Sequence, residues 1–347
     1  MKHIIEGNPL AQPAQVTTLT VDSEDAGQRL DNFLMRHLKG VPKTHIYRII
    51  RSGEVRINKG RVQVDRRIDA GDIVRLPPVR TSLRADLKAQ AMALGLAASG
   101  QTGAPSSFAP AREFPILFED DCLLAIDKPA GVAVHGGSGV SFGVIEQLRM
   151  ARPQARFLEL VHRLDRETSG ILLVAKKRSA LKHLQDQFRE RETGKTYLAL
   201  VVGQWPARLK VLDKSLHKYL LPDGERRVKI VSKDHPDAMP SLSLVKVARA
   251  GAGFTLLEVT IKTGRTHQIR VHLAGEGMPI AGDEKYGNFE VNKSLQRAGV
   301  PVPLRRMYLH AWRLQFNHPT SGERMQLLAN PPSDLTQFLD YVVPDTQ

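Results

Sequence analysis

Cysteine is almost missing from this 347-residue chain, in which Cys122 stands alone. One thiol excludes an internal disulfide and a cysteine-cluster zinc site, and it fits a reducing compartment. Within "DDCLLAID" it reads as a small buried hydrophobe. No apolar run approaches the ~20 residues that a membrane-spanning helix needs. The N-terminus, "MKHIIEGNPLAQPAQ", has no apolar core of signal-peptide length. These absences predict a soluble, cytoplasmic protein with no membrane partner. Several catalytic signatures are missing too. Gly137-x-Gly139-x-x-Phe142 fails the dinucleotide fingerprint at its third glycine, and no phosphate-loop Gly-Lys-Ser/Thr ending occurs. Ser169 is not in a Gly-x-Ser-x-Gly elbow. His267 and His272 are five apart, not at the i, i+4 spacing of a helical zinc pair, so no metal is predicted.

What is present in excess is positive charge. Fifty Lys+Arg against 36 Asp+Glu give a net charge of +14, which favours a polyanionic partner. The charge is concentrated: residues 28–80 hold thirteen Lys+Arg and five acids, so +8 of the total falls in under a sixth of the length. In "QRLDNFLMRHL", Leu30, Phe33, Leu34 and Leu38 share a helical face. "PKTHIYRIIRSG" predicts a second helix with Ile46, Ile49 and Ile50 on its apolar side. Lys43, Tyr47, Arg48 and Arg51 then form a basic face with one aromatic. "EVRINKGRVQV" predicts a β-hairpin turning at Asn58–Gly60 and presenting Lys59 and Arg61. "AGDIVRLPP" supplies a last strand.

The chain is long for one domain, and composition divides it. Residues 1–16 read as an N-terminal tail, 17–80 as the basic module, 81–112 as an Ala-, Gly-, Ser- and Pro-rich linker, and 113–347 as a second domain. In that last region strands outnumber helices, and many are joined by turns. The class predicted is α+β, with a mixed, largely antiparallel sheet flanked by helices.

Three segments there carry chemistry. "HRLDRETSG" sets Asp165 between Arg163 and Arg166, neighbours that favour an ionised carboxylate. Such a group can attack a sugar C1′, shield an oxocarbenium-like centre or abstract a proton. "GKTYLALVVG" opens an apolar strand with Lys195 and Tyr197. "TGRTHQIRVHLA" gathers Arg265, His267, Arg270 and His272 after a glycine turn. Singly, each has a plain alternative: ion pair, core tyrosine, solvated basic turn.

In this order and spacing the segments resemble the RluA-type pseudouridine synthases, over residues 113 to about 333. The words that match are "DKPAGVAVHGG", "HRLDRETSGILLVAKK", "KTYLALVVG", "TGRTHQIRVHLAGEGMPIAGDEKYG" and "LHAWRLQFNHPTSGE". The basic module resembles the αL-type RNA-binding module first known from a small-subunit ribosomal protein. The resemblance implies isomerisation of uridines in 23S rRNA: the N1–C1′ bond breaks, the uracil turns, and C5 joins C1′. It implies no cofactor and a monomer acting on rRNA, free or in ribosome-assembly intermediates. By this resemblance Asp165 is the essential carboxylate and Tyr197 stacks on the uracil and helps remove the C5 proton. Arg270 pairs with the carboxylate, and Arg163 fills the space of the extruded nucleotide. His162, Arg265 and His267 complete the substrate-binding set.

Two rival readings remain at this level. A non-catalytic RNA-binding or assembly factor would keep the fold and lose one of Asp165, Tyr197 and Arg270. A hydrolytic glycosylase would need a second carboxylate, and the motif offers only Glu167. Substrate choice within the family, another rRNA site or tRNA, also stays open. In "AMPSLSLVKV" (238–247), Ser243 and Val245 replace the Thr and aromatic residue common among relatives, in a strand expected to lie away from the chemistry.

Overall fold

The helical rows read from the sequence become α1 (Leu30–His37) and α2 (Lys43–Arg51). Leu30, Phe33, Leu34, Ile46, Ile49 and Ile50 are all buried in one cluster with Val55, Ile57 and Val74. The structure, a computed structural model, describes residues 16–22, 25–38, 41, 43–78, 109–136, 142–251, 253–297 and 299–344. The expected tail up to residue 15 and nearly all of the expected linker lie outside these residues, as does the side chain of Lys43. The chain divides into two compact units between Pro105 and Ser106.

In the first unit β1 (Thr17–Thr20), β2 (Arg56–Ile57), β3 (Gly60–Arg61) and β4 (Ile73–Leu76) form a sheet in the order β1-β4-β2-β3. The hairpin turns at Asn58 (φ 49°) and Lys59 (φ 70°), two left-handed residues as a type I′ turn requires. Asn58 fastens the turn to β4. Its amide donates to Asp72 at 2.8 Å, and its carbonyl accepts from Ile73 N at 2.9 Å. β1 was not legible in "TTLT", whose one large apolar residue is half-buried Leu19.

The second unit is built on one mixed sheet. Its strands are β5 (Ile116–Glu119), β6 (Leu123–Lys128), β7 (Glu159–Leu160), β8 (Ser169–Ala175), β9 (Gly194–Val202), β10 (Val211–Leu220), β11 (Arg226–Val231), β12 (Met239–Gly251), β13 (Phe254–Ile261), β14 (Leu309–Asn317) and β15 (Arg324–Leu328). The order is β11-β10-β12-β13-β9-β14-β8-β6-β5, with β15 on β14 and β7 on β8. Among the described pairings only β14 with β8 is parallel, so the α+β, largely antiparallel expectation holds. Helices α3 (Val144–Ala151), α4 (Arg178–Glu190), α5 (Gln268–Gly275), α6 (Phe289–Gln296) and α7 (Ser333–Val342) accompany the sheet. Every residue of β8 is buried, which explains its unbroken apolar run.

Register at the centre of this sheet places the site. Ala311 of β14 pairs with Tyr197 of β9 on one side and with Gly170 of β8 on the other. A Cβ on Gly170 would lie 2.3 Å from Ala311 O, and φ there is +109°, so only glycine permits this approach. The close approach sets the start of β8, and the turn bearing Asp165, two strands from Tyr197.

Candidate active site

The turn that carries Asp165 is held from three sides. Thr168 N donates to Asp165 O at 3.1 Å and closes it. Lys128, wholly buried, donates from Nζ to the carbonyls of Pro129 (2.8 Å), Val132 (2.9 Å) and Arg166 (3.1 Å). Burial pushes its pKa down to about 7. Three carbonyl acceptors nevertheless require the three N–H groups of an ammonium, since a neutral amine has only two to give. Beneath the turn, Arg306 Nη2 donates to Ser169 Oγ at 2.6 Å. Ser169 in turn lies 2.8 Å from His310 Nδ1, and His310 Nε2 lies 2.9 Å from Ala329 O. A carbonyl only accepts, so Nε2 carries the proton and Ser169 donates to Nδ1. Burial pushes the His310 pKa down to about 4, which keeps that single tautomer.

Asp165 is not held by its neighbours in sequence. Arg166 turns away and binds Glu167 at 2.6 Å. Arg163 is exposed and makes no ion pair among the described residues. The cation nearest Asp165 is Arg270, 105 positions on, with Nη1 3.5 Å from Asp165 Oδ2. The sequence argument for an ionised carboxylate therefore chose the wrong partners. His267 Nε2 lies 3.8 Å from the same oxygen. His267 caps α5 in the left-handed region (φ 53°), a conformation histidine adopts more readily than most residues. Its Nδ1 is 2.8 Å from Tyr286 Oη, which also accepts from Val228 N at 3.0 Å. The arrangement without repulsion has Tyr286 donating to Nδ1 and His267 Nε2–H facing the carboxylate. Burial, the largest influence, pushes the His267 pKa down and keeps the ring neutral.

Asp165, Tyr197, Arg163, Arg265, His267 and Arg270 line one pocket of about 110 Å³. Among the described residues, Asp165 is the single carboxylate in its wall. Burial pushes the Tyr197 hydroxyl up, and the charge of Asp165 adds to this, so the ring enters the pocket as a neutral phenol. Arg265 is exposed at the mouth, with Nε donating to Pro240 O at 3.2 Å. His162 is the exception. Its Nε2 accepts from Leu173 N at 3.2 Å and its ring stacks on Phe188 at 4.7 Å, so it faces an adjoining compartment. In the N-terminal unit Arg48, Arg51, Lys59 and Arg61 are exposed, while Tyr47 is half-buried and donates to Asp31 at 3.2 Å. Arg48 has Glu54 within 3.7 Å.

The sequence reading missed Asp283. It grips Arg270 in a two-point bond, Oδ2 to Nε and Oδ1 to Nη2, both at 2.7 Å. Both side chains are buried. Burial opposes each charge, but the mutual hydrogen bonds outweigh it, holding the Asp283 carboxyl below its ordinary range. The signal was available: an arginine on an inward helix face needs an acid, and "AGDEKYG" offers one. Ser243 was misplaced. Gln268 Nε2 donates to Ser243 Oγ at 3.0 Å, while Gln268 Oε1 accepts from Thr263 Oγ1 at 2.7 Å and Arg265 N at 3.1 Å. The strand expected to lie away from the chemistry thus supports the turn bearing Arg265.

Two clusters among the described residues bring possible metal-binding atoms together, Asp120/Cys122/His318 and His217/His235/Asp237. In the first, His318 Nδ1 accepts from Ser321 N at 3.1 Å, so Nε2 bears the proton directed at Asp120, 2.8 Å away. A cation needs the lone pair of that nitrogen. Neither cluster lines the pocket of Asp165.

Similarity to known proteins follows the same division. The RNA pseudouridylate synthase model matches residues 122–275, and the S4 domain model matches residues 28–74. Ribosomal large subunit pseudouridine synthase C of Yersinia pestis is 48% identical over 332 residues, spanning 96% of this chain and 96% of that protein. The protein of the same name from Escherichia coli is 48% identical over 324 residues, spanning 93% of this chain and 96% of its own length. Among solved structures, Human RNA Pseudouridylate Synthase Domain Containing 4 superposes with a TM-score of 0.54 at 26% identity, covering 65% of this chain and 91% of the human chain.

Proposed function

Since the chain belongs to the RNA pseudouridylate synthase family and carries an S4 domain, we infer that it isomerises uridines of the large ribosomal subunit's 23S rRNA to pseudouridine. The observation that carries this reading is the convergence of Asp165, Tyr197 and Arg270 on one pocket from three separate segments. Asp165 acts on the ribose, so that the N1–C1′ bond breaks and C5 then joins C1′, the C5 proton leaving as N1 gains one. The reaction is an isomerisation and calls for no redox or nucleotide cofactor. Arg270, immobilised by Asp283, orients the carboxylate without displacing it. Tyr197 supplies a ring face for the uracil, its hydroxyl directed to the C5 proton, and His267 directs an N–H at the carboxylate. Arg163, exposed at the mouth, stacks in the place the nucleotide leaves. Arg265 and His162 contact the flanking strand.

A pocket wall with one carboxylate favours isomerisation over hydrolysis, which needs a second acid or base to activate water. Glu167, the nearest candidate in sequence, is engaged with Arg166. The basic module, through Lys43, Tyr47, Arg48, Arg51, Lys59 and Arg61, binds the rRNA outside the target site. Among the described residues no helix is long and apolar enough to cross a membrane.

The test is pseudouridine mapping, by carbodiimide adducts and primer extension, on 23S rRNA from a strain lacking the gene. Wild type is expected to restore the lost sites and Asp165→Asn to restore none. Restoration by Asp165→Asn sinks the catalytic assignment, and a null strain with an unchanged map sinks the substrate.

A further inference from the structure

Beside the pocket of Asp165 lies a larger compartment of about 430 Å³. Arg163, Arg189, Arg191, Lys195, Lys262 and Arg265 line it, and among the described residues no carboxylate does. The two spaces adjoin, with Arg163, Tyr197, Gly264 and Arg265 in both walls. Only Arg189 is neutralised locally, by Asp186 at 2.6 Å and Glu190 at 3.5 Å. The other five make no carboxylate pair among the described residues.

Three details describe how these charges are held. Lys195 is 9% exposed, with Nζ donating to Thr193 Oγ1 at 3.1 Å and lying 5.2 Å from the centre of the Phe188 ring. Burial first, then the charges of Lys262 and Arg191, push its pKa down. Arg191 ends α4 in the left-handed region (φ 66°), where glycine is the usual residue. A charged side chain thus occupies a position that backbone geometry would assign to glycine. The stacked rings of Phe188 and His162 provide an aromatic wall behind the cations.

We propose that this compartment is a phosphodiester subsite, holding the backbone phosphates of the single-stranded RNA that continues from the target uridine. The proposal rests on the RNA-isomerase reading above and extends it to residues outside the reacting pocket. Unneutralised cations gathered around one space are relieved by a polyanion, whose binding also releases counterions. Aromatic faces interleaved with cations suit a single strand, whose bases stack while its phosphates track the charge. Adjacency to the pocket of Asp165, through four shared wall residues, makes that strand the one bearing the target. Arg191 and Lys262 are the principal phosphate ligands, because both are exposed and unpaired at the rim.

The experiment uses the full chain and a large-subunit rRNA stem-loop that wild type isomerises, so that a flat result counts against the subsite and not against the activity. Affinity is measured by fluorescence anisotropy across a salt series for wild type, Lys262→Gln and Arg191→Gly. Each variant is expected to bind more weakly and to lower the magnitude of the salt slope by about 1. Arg191→Gly removes a charge while relieving the left-handed backbone, so weaker binding with an equal or higher melting temperature cannot be misfolding. Methylphosphonates at the linkages flanking the target are expected to weaken wild type and to have much less effect on the double variant. Unchanged affinity and slope in both variants overturn the proposal. Equal methylphosphonate penalties in wild type and double variant overturn it as well.

Discussion

Arg270 shows how a side chain can reach one carboxylate while its main partner is another. Its guanidinium gives two short bonds to Asp283 and reaches Asp165 only at 3.5 Å. Asp283 therefore fixes where the third nitrogen points. Asp283→Ala is expected to destabilise the protein by about 3–5 kcal/mol, because it leaves a buried guanidinium uncompensated. Urea unfolding checks this, and a loss below about 1 kcal/mol sinks the account. At this scale the sequence was only partly legible. Asp165, Tyr197 and Arg270, singled out because they fall in short motifs of fixed spacing, do line one pocket. Asp165's pairing with Arg163 and Arg166 was misread, because adjacency along a turn says nothing about where long side chains go.

Among the elements, the small hairpin of the N-terminal unit combines two demands at Lys59. The type I′ turn favours glycine or asparagine there, yet a lysine holds φ at 70° on an exposed tip. Lys59→Gly is expected to keep or raise the melting temperature while weakening rRNA binding and flattening its salt dependence. A variant that binds as wild type does at every salt concentration removes Lys59 from the interface. The two helices of the N-terminal unit were readable because their apolar spacing is imposed by burial: α1 and α2 fall within a residue or two of expectation. Short edge strands such as β1 and β7 were not, since two to four residues carry too little pattern. The single parallel pairing of β14 with β8 is likewise a property of topology, which no local stretch encodes.

For the molecule as a whole, buried imidazoles set the response to acid. Burial lowers the pKa of His162, His272 and His310 to about 4 each. In the unfolded chain histidine titrates near 6.5. Between those values the unfolded state binds more protons, so stability is complete above about pH 6.5 and falls as pH drops towards 4. Depressed carboxylates such as Asp283 and Glu119 act in a lower window, below about pH 4. Urea midpoints are expected to decline steadily from pH 7 to 4.5, and a flat series over that range contradicts the assignment. The basic module stands out in the sequence by its charge density, with +8 of the +14 in residues 28–80.

Tyr286 joins two parts of the catalytic unit that neither motif nor register connects. Its hydroxyl takes the amide of Val228, on outer strand β11, and serves the ring of His267 beside Asp165. An amide proton at the edge of the sheet is thereby one bond removed from the ring that faces the carboxylate. Hydrogen–deuterium exchange at Val228 therefore reports, from the edge of the sheet, on the hydroxyl that also serves His267.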